Sequence, residues 1–233
     1  MLKRINFLLS TIIPQKLYWH IAGLINPWQA VLEDTKDPET LYGRGKELLN
    51  LLEKLKLINK KTRVLDIGCG VGRLEYAIAY DIQYCLGVDV APSMIKIAKE
   101  RVRYKNVEFR LVNGKNLAEI LGNFNLIFSI IVFQHLSPKT FTRYIEDSFK
   151  LLKNNGNLFF QIALSWDKDY KMPPENHPWA IRRYNLDKLK KMLLKIGFIQ
   201  IKVFDITGNK LEGKPDQVFI AASPKPRTLV RVM

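Results

Sequence analysis

The chain is poor in the residues that bind metals and form cross-links, with two cysteines and three histidines among 233 residues. Two cysteines cannot build a disulfide framework or a zinc site with four thiolates. No His/Cys spacing typical of zinc occurs, and no Asp/Asn cluster suggests magnesium. We therefore predict a protein without a bound metal that needs no disulfides, which suits a reducing cytoplasm.

Long hydrophobic runs are also absent. The most apolar early stretch, residues 5–13, is interrupted by polar side chains and followed by Pro14, whereas a membrane-spanning helix needs roughly 20 apolar residues. The sequence of residues 1–38 instead predicts short helices that cap a larger domain. Leu and Ile side chains of residues 2–13 lie roughly on one helical face beside Lys3 and Arg4, so peripheral membrane contact through residues 1–30 is an alternative to packing on the domain.

Acidic residues are scarce relative to basic ones, because 37 Lys+Arg accompany 22 Asp+Glu and give a formal charge of +15. Such a charge suggests nucleic acid, an anionic membrane or an anionic small molecule as a partner. However, no block of five or six consecutive basic residues occurs, as would bind nucleic acid by itself. The excess is largest beyond residue 162, where 14 basic residues accompany 7 acidic ones. The pattern favours an anionic acceptor over nucleic acid.

From residue 63 onward, short apolar runs alternate with helical patterns, which is typical of a parallel sheet covered on both faces. The last connection, Asp205 to Asp216, has no helical pattern, so the final two strands are predicted to form a hairpin with one antiparallel strand. The predicted fold is a Rossmann-like, seven-stranded α/β sheet with an amino-terminal helical extension and a flexible tail at 224–233. Strands are predicted at 63–67, 84–89, 107–112, 125–132, 158–163, 198–204 and 217–222, and helices at 40–57, 72–80, 92–103, 115–121, 138–152 and 186–195.

The most informative stretch is residues 64–75, where an apolar strand leads through a glycine-rich turn into a helix. Glycines let the backbone turn tightly and let a ligand lie against bare peptide groups. Asp66 lies two residues before Gly68, at the carboxyl end of the strand. Asp89 ends the next predicted strand, where an acidic side chain can take both hydroxyls of a ribose. The combination predicts a cofactor site at this edge of the sheet.

Residues 40–222 resemble a class I S-adenosylmethionine (SAM)-dependent methyltransferase. The resemblance rests on the glycine loop, Asp89, the segment 124–136 at the fourth strand, the turn at 151–156 and the closing strand pair. It implies a methyltransferase domain over 39–223 with its motif core at 63–163, SAM as cofactor and S-adenosylhomocysteine as product. A dinucleotide site is the alternative, but there the third glycine normally follows the second by three residues, whereas Gly72 follows Gly70 by two.

The resemblance also implies which residues hold the cofactor. Asp66 would serve the ammonium group of SAM, and Asp89 would take its ribose. Asn113 departs from the family, which usually has an acidic residue there, although its amide oxygen can accept from the adenine amino group. The residues expected at the cofactor are Asp66, Gly68, Cys69, Gly70, Gly72, Asp89, Val90, Met94, Asn113, Gly114, Ser129 and Ile130, with Tyr42 and Arg44 closing over from the preceding helix.

Few side chains are available as a general base. Methyl transfer from a sulfonium depends mainly on alignment and exclusion of water, and it needs a base only when the nucleophile is poorly ionised. The candidates are His135, just beyond the fourth strand, and His177, in the loop after the fifth. Acceptor contacts are expected from Phe133, Gln134, Trp166, Tyr170, Trp179, Arg182, Arg183 and Tyr184, with ordinary packing or a solvated turn as the alternative.

The sequence thus predicts a SAM-dependent methyltransferase acting on a hydroxyl or similar nucleophile of a small molecule, such as a sugar, a lipid precursor or another anionic metabolite. The fourth strand is not followed by an Asn/Asp-Pro-Pro-Tyr/Phe or a Pro-Cys motif. Those absences argue against methylation of amino groups of adenine or glutamine and of cytosine C5. An RNA or tRNA methyltransferase is the alternative suggested by the charge, and a binding or membrane-surface protein of this fold without catalysis is a third.

Overall fold

The computed structural model describes residues 14–35, 37–167, 169–173 and 180–224. In this part of the chain, four helices precede the first strand and four others follow it. The first group comprises α1 (Gln15–Ile25), α2 (Pro27–Val31), α3 (Pro38–Gly43) and α4 (Gly45–Lys54). The second group comprises α5 (Arg73–Ile78), α6 (Pro92–Arg101), α7 (Pro138–Leu151) and α8 (Leu186–Ile196). Single turns of 3-10 helix lie at Ala79–Asp81 and Phe133–His135.

The strands of the described residues form one sheet with the spatial order β3-β2-β1-β4-β5-β8-β7, and a two-residue strand, β6, pairs with β5 beside this path. Strand β8 is antiparallel to β5 and β7, whereas the other paired strands are parallel. The predicted fold class, a mostly parallel α/β sheet with one reversed strand, is confirmed. The strands are β1 (Arg63–Ile67), β2 (Tyr84–Asp89), β3 (Val107–Leu111), β4 (Phe124–Ser129), β5 (Leu152–Leu164), β6 (Arg183–Tyr184), β7 (Phe198–Phe204) and β8 (Gln217–Pro224).

Several helices begin at capping side chains that the sequence displays. Asp37 caps α3 by accepting from the Thr40 backbone N–H at 2.9 Å, with Pro38 in the first turn. Asn185 caps α8 in the same way, and that helix ends at Gly197, whose φ of 116° lies in the left-handed region. Such caps satisfy backbone groups that a helix end leaves without intrahelical partners. The predicted start of α8 at residue 186 is therefore confirmed, and α3 begins at Pro38, two residues before the predicted residue 40.

Two predicted helices differ in the structure. Residues 115–121 form turns rather than a helix, and the Leu117 N–H donates to the Asp147 carboxylate of α7 at 3.0 Å. That side chain replaces an intrahelical acceptor. The predicted helix at 40–57 is divided into α3 and α4, because α4 begins against α5, where a Cβ on Gly45 would lie 2.7 Å from the Arg73 carbonyl oxygen. Strand β6 was not predicted, and β4 ends at Ser129 rather than at residue 132.

Apolar side chains cover both faces of the sheet. One cluster joins the sheet to α7 and α8 and includes Phe141, Ile145, Leu189 and Leu193. The other joins it to α4 and α5 and includes Leu48, Leu52, Leu74 and Ile78. Burying one such side chain contributes about 1.5–3 kcal/mol. The two clusters therefore hold the sheet rigid and leave its carboxyl edge, where the parallel strands end, as the place for a site.

The amino-terminal helices pack over this edge and against α6. Ser93, at the start of α6, donates its backbone N–H to His20 Nδ1 at 3.2 Å and its hydroxyl to the His20 carbonyl oxygen at 2.8 Å. The Arg101 guanidinium lies 4.8 Å from the Trp28 ring centre. Among the described residues, no helix is long and apolar enough to cross a membrane. The apolar residues 2–13 lie outside the described residues.

Gly72 provides a test of how tightly α5 and α6 close on the sheet. Its φ is 83°, and a Cβ there would lie 2.9 Å from both Phe109 Cζ and Val102 Cγ2. Gly72→Ala is expected to lower the free energy of unfolding by about 2–4 kcal/mol, because left-handed strain and overpacking add together. Urea unfolding with a two-state fit measures this loss.

Two control variants separate the causes. Gly213 also has a positive φ, 66°, but no atom lies within 4 Å of a built Cβ, so Gly213→Ala should show the backbone strain alone. Gly43 has neither feature, and Gly43→Ala should be neutral or slightly stabilising. Equal losses for Gly72→Ala and Gly213→Ala would refute the packing contribution.

Candidate functional site

The glycine loop after β1 is fastened to the end of β2 by backbone hydrogen bonds. The Gly68 and Cys69 N–H groups both donate to the Val88 carbonyl oxygen, at 2.7 and 3.0 Å. A Cβ on Gly68 would overlap the side chain of Val132, and one on Gly70 would lie 3.0 Å from Val31 Cγ2. The loop therefore presents bare backbone, and one side chain from the β4 loop and one from α2 lie directly against it.

Asp89 links the loop to the start of the next helix. Its Oδ2 accepts from the Gly70 N–H at 3.0 Å, and its Oδ1 accepts from the Ala91 N–H at 2.8 Å. A carboxylate oxygen has two lone pairs, so each oxygen can still accept from a ligand hydroxyl. Burial raises the pKa of Asp89, and the backbone hydrogen bonds from Ala91 and Gly70 oppose that rise.

Asp66, at the carboxyl end of β1, is buried beside a second carboxyl group, that of Glu75 on α5. Burial raises the pKa of Asp66 well above its usual range, and the charge of Glu75 raises it further. Burial likewise raises the pKa of Glu75. Apart from these two carboxyl groups themselves, no side chain of the described residues donates a hydrogen bond to the four oxygens. Two acceptor groups thus lie buried directly beneath the glycine loop.

The end of β4 lies beside the end of β1. Ser129 is fully buried and donates its hydroxyl to the Ile67 carbonyl oxygen at 2.9 Å, which ties β4 to β1. Ile131 has a φ of 63°, a left-handed conformation that β-branched residues rarely adopt. Such conformations occur where surrounding structure imposes them, often at functional sites. Ile130, just before it, is half-buried against the α4 and α5 cluster.

The ends of β2 and β3 meet where the sequence predicts an adenine site. A Cβ on Gly114 would lie 3.0 Å from Val90 Cγ1, so these two residues are neighbours. Asn113 is exposed, and its Oδ1 accepts from the Lys115 N–H at 2.7 Å and the Asn116 N–H at 3.2 Å. Met94 is buried with Val71 and Ala91, in a cluster against which α1 and α2 pack.

Four other predicted cofactor residues make contacts within the protein. The Tyr42 hydroxyl donates to the Val71 carbonyl oxygen at 2.7 Å and so supports the loop from α3. Arg44 pairs with Asp34 at 2.8 Å on the surface. Cys69 is buried near Phe109, and Gly72 permits the close approach of that same ring.

On the acceptor side, His135 lies beside a buried arginine. Arg182 is fully buried and donates from Nη1 to the His135 carbonyl oxygen at 2.7 Å, while its backbone N–H donates to the Gln134 carbonyl oxygen at 2.8 Å. Burial lowers the pKa of His135 to about 4, and the positive charge of Arg182 lowers it too, although the Ala180 backbone opposes the fall. The imidazole is therefore neutral at pH 7.

Other predicted acceptor residues surround this pair. Gln134 accepts from Gln217 Nε2 at 3.0 Å. The Tyr184 hydroxyl is buried, has no hydrogen-bond partner among the described residues and has a pKa raised by burial to about 12. Tyr170 accepts from the Arg183 N–H at 3.2 Å.

Three predicted contacts have roles in packing or on the surface, and two cannot be placed. Phe133 lies fully buried among Phe141, Tyr144 and Phe160. The Trp166 indole donates to the Pro215 carbonyl oxygen at 3.0 Å. Arg183 pairs with Asp216 at 3.0 Å. His177 and Trp179 lie outside the described residues.

The structure adds residues that the sequence did not indicate. Val31 and Val132 contact the glycine loop, Glu75 meets Asp66, and the Trp19 ring lies 5.9 Å from the His135 ring. Gln15 of α1 also donates to the His135 carbonyl oxygen at 3.0 Å. Only Glu75 carries a sequence signal, because it is an acidic residue among the buried positions of an amphipathic helix start.

Comparisons with known proteins agree with this geometry. A family model described as a methyltransferase domain matches residues 64–156. The cyclopropane-fatty-acyl-phospholipid synthase of Escherichia coli (strain K12) is 31% identical over 142 residues, which are 60% of this chain and 36% of that protein. The ribosomal protein L11 methyltransferase of Thermotoga neapolitana is 30% identical over 156 residues, 63% of this chain and 57% of that protein.

The fold is shared with a SAM-dependent methyltransferase from Clostridium acetobutylicum ATCC 824, at a TM-score of 0.63 and 15% identity, with 90% of this chain and 98% of that chain covered. The chain spans between 36% and 57% of the length of the two curated relatives above. The family match includes β1, the glycine loop, Asp66 and Asp89. Residues 64–156 therefore match a methyltransferase domain, and the sheet that contains them has the fold of SAM-dependent methyltransferases.

Proposed function

We propose that this protein binds SAM at the carboxyl edge of β1, β2 and β4 and transfers its methyl group to a hydroxyl or similar nucleophile of an anionic small molecule. The observation that carries the proposal is the Asp89 carboxylate, held by the Gly70 and Ala91 N–H groups beside a bare glycine loop. That arrangement supplies a pre-oriented acceptor for ribose hydroxyls. When bound, SAM supplies an electrophilic methyl group on a sulfonium.

The residues present fit such a cofactor. Apart from Glu75, no side chain of the described residues donates to the buried oxygens of Asp66, which suits a ligand ammonium group. Val90 and Gly114 adjoin at the ends of β2 and β3 and would flank the adenine, with the exposed Asn113 nearby. Ser129 and Ile130 would line the floor, since β4 ends beside β1.

Exclusion of water is the main task of the remaining structure. We propose that residues 1–38 are an extension to a methyltransferase domain at 39–223, which the described helices of the extension cover. Its described helices pack on α6 through Ser93 and bring Val31 over Gly70. A dry site strengthens electrostatic interactions and holds reactants in line, which supplies about 7–11 kcal/mol in well-aligned reactions.

His135 is the proposed group that takes the proton from the acceptor. Its ring is neutral at pH 7 because burial lowers its pKa to about 4. The buried Arg182 guanidinium, bound to the His135 carbonyl oxygen, places a positive charge beside the same position. We therefore propose that the acceptor carries a phosphate or carboxylate group. The E. coli relative is named for a phospholipid product, which supports an acceptor with an anionic group.

Asp89→Asn tests the cofactor site. The amide retains the shape but loses the charge-assisted hydrogen bonds, which are worth about 1.5–3 kcal/mol, so SAM affinity should fall roughly 10- to 100-fold. Isothermal titration calorimetry measures the dissociation constant, and far-UV circular dichroism checks the fold. The control is Asp81→Asn, which removes a surface ion pair with Lys60 and should leave SAM affinity unchanged. Equal affinities for all three proteins would contradict the assigned role of Asp89.

Transfer of labelled methyl groups tests the acceptor class. The protein and methyl-tritiated SAM are incubated in separate reactions with the small-molecule filtrate, the total lipid or the total RNA of a cell extract. Label is expected in the small molecules, in species that bind an anion-exchange resin. Label confined to RNA would replace the proposal by the alternative of an RNA methyltransferase. No transfer with any fraction would count against catalysis.

His135→Asn tests the proposed base with the fraction that accepts label. Loss of a general base lowers kcat by about 100-fold or more, whereas SAM affinity should stay within about twofold. A wild-type rate for His135→Asn would contradict the role of His135 in proton transfer. A comparable loss of SAM affinity would instead indicate that His135 maintains the structure of the site.

A further inference from the structure

The packing between β1 and α5 contains two carboxyl groups in contact. Asp66 is 1% exposed and Glu75 is fully buried. The charge of Glu75 and a hydrogen bond between the two side chains raise the pKa of Asp66, and the same hydrogen bond lowers the pKa of Glu75 against the rise that burial causes. No other side chain of the described residues donates a hydrogen bond to their four oxygens. A buried carboxylate without a donor is costly, so this pair needs a proton between its oxygens.

The surrounding charges do not remove that need. Arg73 is the cation that acts on the pair, and its own pKa is lowered by burial. The acidic groups near this positive charge are the carboxyl groups of Asp66, Glu75 and Asp89. Burial raises the pKa of the Cys69 and Cys85 thiols, so both thiols are neutral. Ionising every carboxyl group would leave an excess of negative charge in a site of low dielectric constant.

A glycine of β2 makes room for the Glu75 side chain. A Cβ on Gly87 of β2 would overlap Glu75 Oε1 and lie 2.8 Å from Phe109 Cδ1. The carboxyl group therefore occupies space that a glycine leaves open in the middle of a strand. Because α5 and β2 both hold this side chain in place, Glu75 cannot turn outward to water without disrupting the packing.

We infer that Asp66 and Glu75 share one proton in the cofactor-free protein and that SAM binding expels it, so that Glu75 positions and tunes the carboxylate that meets the cofactor. The second half of this inference rests on the proposed function. SAM brings an ammonium and a sulfonium toward Asp66, and positive charge nearby favours the fully ionised pair. The O–H bond of the shared proton breaks, and the proton passes to the buffer.

The free protein tests the shared proton without any cofactor. An unfolded carboxyl group has a pKa of about 4, so above about pH 5 the folded state binds one proton that the unfolded state has lost. Wild-type stability should therefore fall as the pH rises through this window. In Glu75→Gln the amide N–H can donate to Asp66, so the folded variant does not need the shared proton. The folding equilibrium constant of this variant should therefore rise relative to that of wild type by up to tenfold per pH unit between about pH 5 and 8.

Urea unfolding across this pH range provides the measurement. Asp66→Asn removes the other carboxyl group of the pair and should show the same trend. It replaces Glu75→Gln in the test if that variant does not fold. Glu53→Gln, at an exposed position of α4, is the control and should follow wild type at every pH. Parallel stability curves for wild type and both pair variants would overturn the shared proton.

Calorimetry then tests its release by the cofactor. SAM is titrated into wild type and Glu75→Gln in two buffers of different ionisation enthalpy at the same pH. Wild type should release close to one proton per SAM and bind more tightly with rising pH, by up to tenfold per unit. Glu75→Gln should release none. SAM binding without proton release in wild type overturns the inference, whereas no SAM binding at all refutes the proposed function and leaves the stability test to decide the pair.

Discussion

The Asp89 carboxylate is the interaction on which the cofactor edge of this protein depends. It accepts from the backbone of the glycine loop and from the backbone that starts α6. This side chain therefore joins the glycine loop to the start of α6, in addition to the backbone hydrogen bonds that hold the loop against β2. Charge-assisted hydrogen bonds to backbone N–H groups are strong enough to hold such a loop in place. The same carboxylate keeps lone pairs for a ligand, so in the proposed function one group both fastens the loop and recognises the cofactor.

A second constraint follows from burying charge beneath the loop. Asp66 and Glu75 are both kept from water, which is unfavourable for stability and useful for binding a cation. The protein accepts this cost at the cofactor edge, whereas the rest of the sheet is covered by the apolar side chains of α4, α5, α7 and α8. Helices α1 and α2 pack against α6 and the glycine loop. The apolar burial is thereby concentrated in the two layers beside the sheet, and the buried carboxyl groups lie at the strand ends.

The fold was predictable because its signals are local. Strands β1, β2 and β7 have the predicted bounds, since each is a short apolar run between turn residues. The prediction was wrong at residues 115–121, where a side chain of α7 satisfies the backbone and no helix forms. Two residues pair as β6 only because β5 extends far enough to receive them. Long-range partners of this kind leave no pattern in the sequence.

The sequence by itself determined the glycine loop, the acid at the end of β2 and the alternation of strands and helices, because each depends on spacing along the chain. Only the tertiary structure decided that Glu75 meets Asp66, that Val31 and Val132 lie on the loop, and that Arg182 is buried against His135. Those contacts join residues far apart in sequence or on different elements. Their cost or benefit arises from desolvation and charge in a packed interior, and neither exists until the chain has folded.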